Sequence, residues 1–261
     1  MDELTNEKQV EQTWKEYWRN QGDKVTSWDA VSASVLGCIV REFAPLSRKR
    51  LLEAGCGTGR ISRALALAGA RVACLDIAPE ALAIARQQIG EELAADYVLG
   101  SIIAMPRSVL YDGVWNSGVM EHFGLEQQRK ALSEFDAVCG DNGKIVILCP
   151  SAHSLLYRLG KLVLERSGNW RYGVELPVRT LRDCTPDGLI LEREYSVAFM
   201  PFLLDADKFL RPLGVVCRPL RRLSFTRWGA AVTNLLDRVL SRVLGGYLLV
   251  SVFRKVEANR D

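Results

Sequence analysis

Hydrophobic positions along the chain first recur at helical spacing and then switch repeatedly between helical and strand patterns. Val10, Trp14, Tyr17 and Trp18 recur at helical spacing and predict an amphipathic helix over about residues 5–20. A second helical pattern runs from about Ser27 to Phe43 and stops before Pro45. From there short, largely apolar runs alternate with helical stretches. The runs are KRLLEA (49–54), RVACLD (71–76), YVLG (97–100), YDGVWNSG (111–118) and KIVILCP (144–150). Between them, helices are expected at 60–69, at 79–93 with Pro79 in the first turn, and at 124–139. The Asp141-Asn142-Gly143 run reads as a turn before the fifth strand. Strands that are largely apolar are buried on both faces, so the alternation predicts a doubly wound α/β domain with a mostly parallel sheet. A ligand is expected at the carboxyl ends of its strands.

After Pro150 the alternation loosens. A helix is expected near 155–166, and strands at 189–199 and 246–256, with a long connection over roughly 200–245. Composition adds bounds. With 261 residues, 48% hydrophobic and 25% charged, the chain can bury a substantial core. A net charge of +3 is too small to argue for nucleic acid by itself, and the arginines have few interleaved aromatics to stack bases, so no nucleic-acid partner is expected. Seven cysteines without a C-x-x-C pair fit neither a zinc site nor a disulfide framework, and only two histidines are present. No metal is expected, and the cysteine use fits a reduced, cytoplasmic protein. The polar amino terminus is not read as a signal peptide, and no apolar run reaches the ~20 residues of a spanning helix.

The chemistry concentrates in LLEAGCGTGR (51–60), a Gly-x-Gly-x-Gly turn directly after a strand, with Glu53 just before it. A dinucleotide turn would place a third spaced glycine where Arg60 stands, and a Walker loop would need Gly-Lys-Ser/Thr. A carboxylate at the strand end disfavours a pyrophosphate and favours a cationic ligand. On these residues the chain resembles the class I S-adenosylmethionine-dependent methyltransferases. The resemblance implies a Rossmann-like sheet of seven strands with the last antiparallel, and a cofactor that carries a sulfonium and an ammonium but no phosphate. It covers about residues 45–150, the expected cofactor core, flanked by amino-terminal lid helices (1–44) and a substrate-side region (151–261).

Carried over residue by residue, the resemblance implies cofactor contacts from Glu53, Ala54, Gly55, Gly57 and Gly59 at the turn, and from Asp76 and Ile77 after the second strand. Asp76 is expected to accept both ribose hydroxyls. Ser101 and Ile102, with Ile103 beside them, are expected around the adenine, and Asn116 and Ser117 on the pocket floor. Ser101 stands where the family often has Asp. Glu121 and His122 follow the fourth strand and are the candidate catalytic residues, His122 as general base, with His153 a further candidate. Trp14, Tyr17 and Trp18 suit a lid over the cofactor or a helix docked by its aromatic stripe.

The connection before the last strand departs from the minimal family pattern. Between 202 and 244, Lys208, Arg211, Arg218, Arg221, Arg222, Arg227, Arg238 and Arg242 face only Asp205, Asp207 and Asp237. Val232, Leu235, Leu236, Val239, Leu240 and Val243 form one helical face. The segment suits a cap packed on the domain with a solvated basic rim, or peripheral membrane contact through 205–244. The expected activity is methyl transfer to an O or N nucleophile of a small molecule, glycan or lipid-linked precursor. The alternative is a non-catalytic cofactor-binding subunit or membrane-surface scaffold.

Overall fold

The computed structural model describes residues 3–21, 28–208, 214–224 and 226–256. Two helices, α1 (Glu3–Gln21) and α2 (Ala30–Phe43), precede the first strand. The core then runs β1 (Arg50–Ala54), α3 (Arg60–Leu67), β2 (Arg71–Asp76), α4 (Pro79–Ile89), β3 (Ala95–Leu99), β4 (Tyr111–Ser117), α5 (Leu125–Val138) and β5 (Cys139–Pro150). The second half adds α6 (Leu155–Arg166), β6 (Leu189–Val197), α7 (Phe199–Leu204), α8 (Gly214–Ser224), α9 (Arg227–Leu240) and β7 (Leu248–Lys255). The seven strands are ordered β3-β2-β1-β4-β5-β7-β6, with β7 antiparallel to both neighbours. The expected Rossmann-like sheet, with its last strand reversed, is the observed one.

Side chains alternate across this sheet and divide the core in two. Leu52, Ala54, Ala73, Leu75, Val114 and Ile145 pack on one face with Ala131, Leu132 and Phe135 of α5. Leu51, Val72, Cys74, Trp115 and Val146 pack on the other with α2, α3 and α4. The same alternation sends Glu53 and Asp76 to the second face, at the carboxyl ends of the adjacent parallel strands β1 and β2. The strand order reverses between β1 and β4, which opens the crevice there. Gly113 of β4 leaves the room that the Phe43 ring of α2 fills, since a Cβ would stand 2.4 Å from that ring.

Three local expectations change. The helix after β2 ends at Ile89, because Gly90 takes φ 83° and turns the chain out. The helix before β1 begins at Ala30, capped by the Asp29 carboxylate, which accepts the Ser32 N–H at 2.7 Å; Ser27 lies outside the described residues. The segment 141–143 is no free-standing turn. Tyr111 pairs with Cys139 and Gly113 with Lys144, so these residues bulge out of a ladder already begun. All seven cysteines are free and buried, as expected of small hydrophobes.

Candidate active site

Gly55, Gly57 and Gly59 all adopt positive φ (82°, 51° and 66°), which explains why this turn excludes other residues. Their surroundings differ. A Cβ on Gly55 would stand 2.6 Å from Val119, and one on Gly57 2.9 Å from the Trp18 ring of α1. One on Gly59 would stand 2.9 Å from Ala85 of α4. The first two let Val119 and the Trp18 ring of α1 come close against the turn; the third lets α3 sit against α4. Asp76 braces the turn from β2. One carboxylate oxygen accepts the Gly57 N–H at 2.9 Å and the other the Ala78 N–H at 3.0 Å. Glu53 is buried and accepts the Ser62 hydroxyl of α3 at 2.5 Å. Burial pushes both carboxyls above their usual range, Glu53 strongly so.

These groups open onto a cavity of about 650 Å³. Of the expected cofactor residues, Glu53, Gly55, Gly57, Asp76, Ile77, Ser101, Ile102 and Ser117 lie on its wall. Ala54, Gly59 and Asn116 do not. Asn116 is fully buried and donates its amide to the Ala54 carbonyl, tying β4 to β1 below the turn. Ile103 packs into the core, and its N–H donates to the Ser101 hydroxyl at 3.4 Å. His153 is exposed and off the wall. Arg60, read from the sequence only as a missing glycine, is on the wall at the start of α3.

The same cavity holds Glu121 and His122, carried by a 3-10 turn (Met120–His122) beyond β4. That turn is clamped from two directions. The buried Gln128 amide of α5 donates to the Met120 and Phe123 carbonyls at 2.9 and 3.0 Å. From the chain beyond α6, the Leu176 N–H donates to the Glu121 carbonyl at 2.7 Å, and His122 Nδ1 lies 2.8 Å from the Val174 carbonyl. A carbonyl only accepts, so Nδ1 carries the proton and neutral His122 keeps a lone pair on Nε2. Burial lowers its pKa.

Glu175 completes a cluster that no periodicity announced, because it sits in an irregular segment. Ligand atoms of Glu121, His122 and Glu175 lie within 4.8 Å of one another, the one such group able to take a metal ion among the described residues. Tyr157 of α6 donates its hydroxyl to Glu175, while Oε2 of Glu121 is buried without a partner. Burial raises both carboxyls, with Glu175 adding its repulsion to Glu121. Trp14, Tyr17, Trp18, Trp170, Tyr172 and Tyr247 wall the rest. Lys161 is buried on the same wall, paired with Glu165 at 2.7 Å and 4.5 Å over the Trp170 ring.

The glycine turn, with Glu53 before it and Asp76 at the next strand end, lies where the strand order reverses. Residues 52–147 match the family model described as a methyltransferase domain. Over this stretch the chain is similar to methyltransferase domains. It is 30% identical over 130 residues to the mitochondrial ubiquinone biosynthesis O-methyltransferase of Schizosaccharomyces pombe, covering 48% of this chain and 46% of that protein. It is 33% identical over 135 residues to the malonyl-[acyl-carrier protein] O-methyltransferase of Serratia marcescens, covering 51% of each. The chain thus spans about half the length of these relatives. Its fold is similar to that of the N-methyltransferase NodS from Bradyrhizobium japonicum, solved with S-adenosyl-L-homocysteine (TM-score 0.60, 13% identity, 95% of this chain and 99% of that one).

Proposed function

We propose that the chain transfers a methyl group from S-adenosylmethionine to an O or N nucleophile of a small-molecule acceptor. The observation that carries this reading is that the acid-and-glycine turn and the Glu121–His122–Glu175 cluster share one cavity. The residues fit the cofactor. Glu53 and Asp76 stand on the cavity wall beside the glycine turn, and Arg60 is on the same wall. When bound, the cofactor supplies an electrophilic methyl on a sulfonium.

The protein's own work is positioning and proton handling. Glu53 offers acceptor oxygens to the cationic amino-acid end, Asp76 keeps acceptor capacity for the ribose hydroxyls, Ser101 and Ile102 flank the adenine, and Ser117 lies on the pocket floor. Aligning acceptor and methyl can recover ~7 to 11 kcal/mol of barrier, so the aromatic walls and the α1 lid matter as much as any base. His122 Nε2 takes a proton from the acceptor, while Glu121 and Glu175 accept hydrogen bonds from it.

The test is incubation with methyl-labelled cofactor and panels of phenols, carboxylic acids and amines. Label in one acceptor class, with matching release of S-adenosylhomocysteine, is the expected result. Cofactor binding by calorimetry without turnover across all three panels would instead support a non-catalytic binding subunit.

A further inference from the structure

Helix α9 is mounted on the domain by its polar edge. The Asp237 carboxylate accepts the N–H groups of Ala198 and Met200 at 3.2 and 2.8 Å, and the Ser241 hydroxyl accepts that of Phe199 at 3.2 Å. These bonds satisfy the amino-terminal donors of α7. Their consequence is that the apolar stripe of α9 points away from the protein. Val232, Leu235, Leu236 and Val239 occupy an arc of about 100° at 3.6 residues per turn, and these four and Val243, in the π-turn Ser241–Gly245 that follows, are exposed, Leu235 by 63% and Val243 by 74%. Trp228, 85% exposed, continues the stripe. The segment is attached to the domain by this polar edge, and its apolar face is uncovered.

The neighbouring helix repeats the pattern. In α8, Cys217 is buried, whereas Val215, Val216, Leu220 and Leu223 are exposed. Arg222 of α8, Arg238 of α9 and Arg242 just beyond α9 are exposed around these residues. Not every arginine belongs to this surface. Arg221 is turned inward to Asp205 and Asp207 at 2.9 and 3.0 Å, and Arg211 lies outside the described residues. Between 214 and 244 the sequence contains a single carboxylate, Asp237, and it faces the domain.

We infer that the outer face of α8 and α9 docks on an anionic lipid surface. Its chemistry is apolar with a cationic border and no acid, which matches acyl chains beneath phosphate headgroups. A second copy of the chain is a poorer occupant, because face-to-face pairing would bring arginines onto arginines without a carboxylate between them. The face is carried by α7, whose Phe202 lies on the cavity wall, so a docked protein would hold its site close to membrane-borne compounds. No helix among the described residues is long and apolar enough to cross a membrane, so contact of this kind is peripheral.

The experiment is vesicle co-sedimentation of the whole chain, with homocysteine-cofactor binding and circular dichroism to establish that each variant is folded. The wild type should pellet with phosphatidylglycerol-containing vesicles and not with pure phosphatidylcholine. Leu235→Asp with Val239→Asp should weaken partitioning by about tenfold or more, since both side chains would leave the acyl boundary. Arg238→Glu with Arg242→Glu should do the same at low salt, and added salt should weaken the wild type in parallel. Equal sedimentation of folded wild type and variants would overturn the inference. So would a wild-type dimer in light scattering that Leu235→Asp splits while no vesicle binds.

Discussion

The Asp76 carboxylate holds the Gly57 N–H at 2.9 Å. One side chain thereby shapes the turn and presents its remaining acceptor sites to the cavity. Asp76→Ala should weaken S-adenosylhomocysteine binding by ~1.5 to 3 kcal/mol, the worth of charge-assisted hydrogen bonds. Because Gly57 and Ala78 also lose their acceptor, the melting temperature should fall as well. Calorimetry and thermal denaturation read the two effects separately, and unchanged affinity would remove Asp76 from the ribose role.

Gly59 should behave in the opposite proportion. Its φ of 66° and its approach to Ala85 make it a packing residue between α3 and α4 rather than part of the cavity wall. Gly59→Ala should cost about 1–2 kcal/mol for the left-handed backbone, with overpacking adding about 1–3 kcal/mol. Cofactor affinity per folded molecule should change less than stability. A large loss of affinity at unchanged melting temperature would contradict this placement.

Glu121 carries a buried oxygen without a partner, and burial raises its pKa. Its folded pKa is above the unfolded one, so as pH rises between them the folded state holds the extra proton and loses stability. Glu121→Gln should therefore stabilise the free protein at alkaline pH, by about 1–3 kcal/mol if the group is fully ionised there. The same change should lower methyl transfer. Stability without activity is the combination to look for, by denaturant melts alongside rate measurements.

His122 titrates in the other sense. Its folded pKa lies below the ordinary value of 6.5, so below that pH the unfolded chain binds more protons and stability falls. Activity should rise with pH through a midpoint below 6.5 and stay level above it until other groups intervene. His122→Asn, which can still donate to the Val174 carbonyl, should abolish that acid limb and reduce kcat by about 10² to 10⁴. A pH profile identical to wild type would exclude His122 as the base.

The sheet was legible because its strands are largely apolar, and the turn because glycines at positive φ leave a spacing that other residues cannot fill. Legibility stopped at pairings across distance. Nothing near Glu175 marks it, since the segment between α6 and β6 has no period; only the bonds from Leu176 and Val174 to the Glu121–His122 turn bring it to the site. Gln128 was equally silent, being one polar residue on an amphipathic helix. The α9 periodicity was visible, but its direction was not. A helical stripe says that one face differs from the other, and the polar anchors Asp237 and Ser241 decided which face met the protein.

The closeness of the Trp18 ring to Gly57 bears on the order of events in turnover. An aromatic wall laid across the turn obstructs the way out of whatever occupies it, so exchange there requires α1 to swing aside. Donor should load first and leave last, and at saturating acceptor the pace should be set by departure of the spent donor. Shaving that wall, as in Trp18→Ala, should then quicken each cycle while loosening the grip on the donor.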